Sequence, residues 1–162
     1  MSVVTNGLDV ITREGYERLT AELEQLESVA RHEVAEALRQ AREDGGKPEE
    51  NTAVSEALDA AAALERRIQE LSAVLARSQI AGPLPAGVAG IGQRVRVRLA
   101  PGARSMIWQI VSAAECDLGA GRISVESPVG QALVGRRAGD RLEVQTPGGE
   151  RTIEILDVGE DA

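Results

Sequence analysis

Phenylalanine is absent from this 162-residue chain, and Tyr16 and Trp108 are its only aromatic residues. Single-strand nucleic-acid binders stack bases on aromatic platforms, and a chain this poor in rings has none to offer. Cys116 is the sole cysteine, so no internal disulfide forms, and a reduced, cytoplasmic setting is expected. His32 is the one histidine and has no second ligand at zinc-binding spacing. No apolar run approaches the roughly 20 residues of a membrane span. No basic stretch followed by an apolar one marks the N-terminus. Neither membrane contact nor secretion is expected. Positive charge is also scarce: the net charge is −8, which argues against a free-standing nucleic-acid binder. The deficit is uneven. Residues 1–80 carry 9 basic and 16 acidic groups, whereas residues 81–162 carry 9 and 10. Contact with nucleic acid is therefore expected only through a partner.

What the chain does have is two long amphipathic runs flanking an acidic tip. Leu19, Leu23, Leu26, Ala30, Val34, Ala37 and Ala41 recur three or four residues apart, and so do Val54, Leu58, Ala61, Leu64, Ile68, Leu71 and Leu75. That spacing places one apolar stripe on each of two helices. Thr12 is suited to cap the first. Between the runs lies Glu43-Asp44-Gly45-Gly46-Lys47-Pro48-Glu49-Glu50-Asn51, whose glycines and proline interrupt the helix. The two stripes then fold on each other as an antiparallel coiled coil within one chain; half of an intermolecular bundle is the alternative. A helix of about 30 residues reaches ~45 Å, far enough to hold the tip acids away from the rest of the protein.

The grammar changes after the Gly- and Pro-rich segment 81–87. Gln93 to Leu99 alternates with period two, placing Val95, Val97 and Leu99 on one face and Arg94, Arg96 and Arg98 on the other. The arginines read as a solvated strand face, with contact to nucleic acid or an acidic protein as the alternative. Met106–Ala113, Arg141–Thr146 and Arg151–Asp157 also read as strands. Thr146-Pro147-Gly148-Gly149-Glu150 connects the last two as a hairpin. Val129–Val134 reads as a short helix ended by Gly135. The expected fold class is α+β: a coiled-coil domain over 1–80 with its tip near 43–51, a linker over 81–87, and a mostly antiparallel domain over 88–162.

Several segments together resemble the Gre family of bacterial transcription factors. They are Ile11-Thr12-Arg13-Glu14-Gly15-Tyr16-Glu17-Arg18-Leu19, the tip from Ala41-Arg42-Glu43 to Glu50-Asn51, and Ile123-Ser124-Val125-Glu126-Ser127-Pro128-Val129-Gly130-Gln131-Ala132-Leu133-Val134-Gly135. Gly139-Asp140 and the Pro147-Gly148-Gly149 turn follow in order. The resemblance implies a C-terminal domain of the FKBP-like kind that docks on bacterial RNA polymerase at the rim of its secondary channel. It also implies a coiled coil inserted toward the active centre. Docking is then expected around Ser124, Glu126, Ser127 and Pro128. The tip acids Asp44, Glu49 and Glu50 are expected to act inside the polymerase active site. There they share a Mg²⁺ with the polymerase, and no cofactor is bound stably by the chain itself. A monomer is expected, with no catalytic residues of its own.

The tip departs from the family pattern. It is one residue longer, Gly46 stands where the family places Asp, and Ala53 and Val54 replace an acidic and an aromatic residue. The metal-binding oxygens tolerate little displacement: an error of ~1 Å can cost on the order of 10²-fold in rate. The tip therefore reads as an inhibitor of transcription, with stimulation of RNA cleavage as the alternative and a structural adaptor as a third reading. A prolyl isomerase would need an aromatic-lined pocket, for which this half offers only Trp108. Arg39 and Arg42 are expected to pair with Glu36 or Glu43 on the helix surface, with an approach to RNA phosphates in the channel as the alternative, and Cys116 reads as structural.

Overall fold

A computed structural model describes residues 9–43, 52–100, 105–146 and 148–159. Two compact units account for them. One is Tyr16–Arg77; the other combines the chain up to Gly15 with the chain from Ser78 onward.

The first unit is helical. α1 (Arg13–Gln25) passes through a π-helical turn at Leu26–Ala30 into α2 (Arg31–Glu43), and α3 (Thr52–Arg77) packs along α2. Leu19, Ala41, Val54, Ala57, Ile68 and Leu71 are buried along the seam. The apolar stripe departs from regular spacing at two places. Beyond the π turn Leu38 is half-buried and Ala37 is exposed. Val34 and Ala41 keep their expected places on the seam, so the difference is confined to Leu38 being covered in place of Ala37, both of which lie three or four residues from those two. On α3, Ala57 is buried and Leu58 is 48% exposed. Two bidentate or forked arginine contacts cross the seam. Arg31 reaches both Glu65 oxygens at 2.7 and 2.9 Å, and Arg67 reaches Glu22 at 3.0 and 2.7 Å. Both are exposed, so they serve register more than stability.

The second unit is built on a five-stranded sheet. β1 (Asp9–Ile11) and β2 (Ser78–Ile80) pair in parallel as a separate small sheet. The main sheet comprises β3 (Arg94–Ala100), β4 (Ser105–Val111), β5 (Arg122–Ser124), β6 (Arg141–Thr146) and β7 (Gly149–Gly159), ordered β5-β4-β3-β7-β6. Every pairing is antiparallel except β4 with β5. β6 and β7 form the expected hairpin. A bulge opposite Arg96 and Val97 places Leu156 out of register. One extra residue in β7 lets Ile153, Ile155 and Val158 all turn inward, which strict alternation forbids. α4 (Pro128–Leu133) lays Leu133 into the core beside Val95, Val97, Ile110, Leu142 and Val144. Each such aliphatic side chain contributes about 1.5–3 kcal/mol by leaving water.

Residues 81–87, read from sequence as a linker, run within this unit. The Ala81 amide donates to the Ile11 carbonyl at 2.8 Å, and Ala89 exchanges bonds with Arg136 and Gly135, both at 2.8 Å. β1 and β2 join the sheet unit for the same reason: their partners lie on either side of the helical unit in sequence, and local patterning does not show pairing of this range. Among the described residues no helix is long and apolar enough to cross a membrane.

Candidate functional site

The end of β5 and the start of α4 form a closed turn. Ser124 accepts at its carbonyl from the Ser127 amide (3.0 Å) and from the Ser127 hydroxyl (2.7 Å). The same Ser127 hydroxyl oxygen accepts the Gly130 amide at 3.0 Å and so caps α4. Ser124 Oγ accepts the Glu126 amide at 3.1 Å, and the Gln131 side chain donates to the Glu126 carbonyl at 2.9 Å. Pro128 occupies the first helical position, where a missing N–H costs nothing and the ring pre-sets φ.

The structure thus brings Ser124, Glu126, Ser127 and Pro128 into one turn and divides their roles. The two serine hydroxyls are half-buried and engaged within the turn. Glu126 and Pro128 are exposed. The exposed surface of the turn is one carboxylate beside one rigid ring. Gly130 lies directly beneath it, where a Cβ would fall 2.0 Å from the Ser124 carbonyl oxygen. Only glycine lets α4 approach β5 this closely.

At the other candidate site, Asp44, Glu49 and Glu50 lie outside the described residues. The ends of the helices that carry them are described. Ala41 and Val54, the last apolar seam residues on either side, are 7% and 4% exposed. Arg39 is engaged by the helix surface, at 2.9 Å from Glu36 and 2.7 Å from Glu43. The hydrogen bond from Arg39, and then its charge, hold the Glu36 carboxyl below its ordinary value. On the sheet Arg98 and Arg141 both pair with Glu154, at 3.2 and 3.3 Å, and Arg94 and Arg96 are exposed. Trp108 packs against the hydrophobic core, and Cys116 is exposed rather than part of that core. Among the described residues no three His, Cys, Asp or Glu side chains are grouped to hold a metal ion.

One polar cluster escaped the sequence reading. Thr12, Ser112 and Glu115 are buried together although Thr12 and Glu115 are 103 residues apart. Ser112-Ala113-Ala114-Glu115 carries the Ser-x-x-Glu pattern of a capping box, which was a readable local signal. No local signal pointed to Thr12 as its further partner.

Comparison with known proteins matches residues 9–80 to the N-terminal family described as transcription elongation factor, and residues 84–160 to the C-terminal family described as transcription elongation factor GreA/GreB. Transcription elongation factor GreA of Rhodospirillum rubrum is 40% identical over 147 residues, covering 90% of this chain and 93% of the relative. The GreA of Chloroflexus aurantiacus is 41% identical over 150 residues, covering 91% and 95%. Among solved structures, GreA factor homolog 1 of Thermus thermophilus is 29% identical, with 93% of this chain and 98% of that chain covered and a TM-score of 0.43.

Proposed function

Since this chain belongs to the GreA/GreB family of transcription elongation factors, we propose that it docks on RNA polymerase through the Ser124–Pro128 turn and slows transcription from the secondary channel. The exposed carboxylate of Glu126 and ring of Pro128, held by an internally satisfied turn, are what a docking contact requires. Little ordering is left to do on binding, which favours affinity. Nucleic acid is met only inside the transcription complex, and the chain acts as a monomer.

The observation that carries the inhibitory reading is Val54. It stands where the family pattern has an aromatic residue and is 4% exposed and committed to the coiled-coil seam, while its neighbour Ala53, where the pattern has an acidic residue, is exposed and brings no carboxylate. Neither side chain has an oxygen to give. Asp44, Glu49 and Glu50 remain as carboxylate donors of the hard-oxygen kind that suits Mg²⁺. A Mg²⁺ shared with the polymerase would supply charge stabilisation and an activated water. With Gly46 in place of an Asp, the proposed outcome is obstruction of the channel rather than efficient cleavage.

An extension and cleavage assay on stalled elongation complexes, with the wild-type chain and an Asp44/Glu49/Glu50→Ala variant, tests this. Slowed extension without shortened transcripts is expected. Shortened transcripts that vanish with the variant would establish cleavage stimulation instead. Glu126→Ala combined with Pro128→Ala is expected to weaken capture of the polymerase while leaving the fold intact. Unchanged capture would remove the turn from the docking surface.

A further inference from the structure

Glu115 is 3% exposed, yet every donor that reaches its carboxylate is uncharged. Oε2 accepts the Ser112 amide at 3.2 Å, the Ser112 hydroxyl at 2.8 Å and the Thr12 amide at 3.1 Å, and Oε1 accepts the Thr12 hydroxyl. The Thr12 oxygen, its proton directed at Glu115, presents a lone pair to the Gly15 amide at 2.8 Å. The result is a relay in which a carboxylate sets the hydroxyl that caps α1. Gly15 completes it: a Cβ there would lie 1.7 Å from Glu115 Oε1, so only glycine admits the carboxylate.

An ordinary threonine cap needs no such support. Burying a carboxylate is costly unless its hydrogen bonds are made, and here the helix N-terminus adds favourable partial charge. Glu115 is also tied to the docking strand. The Arg122 guanidinium donates to the Glu115 carbonyl at 3.2 Å, and Arg122 opens β5, which ends at Ser124. One hydrogen-bonded route therefore runs from β5 through Glu115 and Thr12 to Gly15 at the start of α1, all within the unit that combines the chain up to Gly15 with the chain from Ser78 onward.

We infer that Glu115 is a positioning residue, whose carboxylate holds the cap of α1 in place for a chain docked through the neighbouring β5–α4 turn. The inference rests on the polymerase reading above for its consequence, though not for the lock itself.

Thr12→Val removes the hydroxyl with little change in shape, and Thr12→Ser keeps it. Glu115→Gln replaces an acceptor with an amide that cannot accept from all four donors. In the full-length chain, Thr12→Val and Glu115→Gln are expected to speed amide exchange in the first turn of α1 roughly tenfold, with β3 and β7 unchanged. Both are expected to bind polymerase within about twofold of wild type yet lose most of the effect on extension at saturation, a split that simple unfolding does not produce. Thr12→Ser is expected to restore exchange and effect together. Unchanged exchange in Thr12→Val, or equal losses in Thr12→Val and Thr12→Ser, would overturn the lock. Full slowing of extension by a Thr12→Val chain whose first turn exchanges freely would overturn the positioning role while leaving the docking reading intact. A wild-type chain that fails to bind polymerase would defeat the docking reading and the positioning role, with the exchange result still deciding the lock.

Discussion

Gly130→Ala offers a test in which helix propensity and packing make opposite forecasts. Alanine is favoured over glycine within a helix by about 1 kcal/mol, so propensity alone expects a more stable protein. The geometry expects the reverse. The new Cβ would lie 2.0 Å from the Ser124 carbonyl oxygen, 2.9 Å from its carbon and 3.0 Å from Val125 Cα. All three are backbone atoms, and none can rotate away. α4 would have to retreat by at least about 1 Å to reach the shortest tolerable contact. Overpacking of that kind costs about 1–3 kcal/mol. The retreat also strains the Ser127 cap, worth about 1 kcal/mol, because Ser127 bonds to the same Ser124 oxygen. Leu133, fully buried on the same short helix, would be lifted from the core.

The net expectation is a loss of about 2–3 kcal/mol after the propensity gain, or on the order of 10 °C in the midpoint for a unit of this size. Trp108 is the sole tryptophan and packs on this core, so urea unfolding followed by its fluorescence reports on this unit. Polymerase affinity should fall about tenfold or more, since the turn is displaced with every docking side chain still present. Stability equal to or above wild type would show that α4 has room to spare, and the account of the turn would fail. Gly82→Ala is the control: nothing lies within 4 Å of a Cβ there, so a change within about 0.5 kcal/mol is expected.

The helical unit yields two further tests. Leu38→Ala should destabilise it by about 1–2 kcal/mol, as befits a half-buried leucine, whereas Ala37→Ser should be near neutral; equal effects in thermal melts would deny that Leu38 rather than Ala37 packs on the seam. Glu65 has its carboxyl held below its ordinary value of 4.5 by the hydrogen bond from Arg31 and then by its charge. A depressed carboxylate stabilises the folded form above 4.5, and that contribution disappears as the pH falls through the lower folded value. Glu65→Gln should therefore reduce the loss of helical stability between pH ~7 and ~3, and melts by circular dichroism with an unaltered acid limb would remove Arg31–Glu65 as a contributor.

Much of the molecule is determined by signals a few residues long. The change of apolar period from helical to alternating divides the chain, since each period buries one face of one kind of element. Val95 and Val97 face inward because they alternate with three arginines, and the β6–β7 hairpin follows from the turn residues between two short alternating runs. Thr12 was legible as a cap and Gly135 as a stop, since capping is settled within one helical turn. The start of α4 was legible in the same way: Ser127 and Pro128 are adjacent in sequence and act on the next three residues.

Tertiary structure decided whatever depends on a distant partner. β5 is three residues long and has no pattern of its own; it is a strand because β4 lies beside it. The parallel pairing of β1 with β2 joins segments separated by the entire helical unit. Leu156 slips out of register so that Ile155 and Val158 can share one core, a choice imposed by the neighbouring strand. Leu38 rather than Ala37 is covered, a choice that helical spacing leaves open because both lie three or four residues from Val34 and Ala41. Ser112–Glu115 carries only a local capping-box pattern, and the fold alone supplies Thr12 and leaves Gly15 as the one residue that fits against Glu115. Sequence specifies the local conformations because their energies are local. Burial and long-range hydrogen bonds select among them, since those terms exist only once remote segments have come into contact.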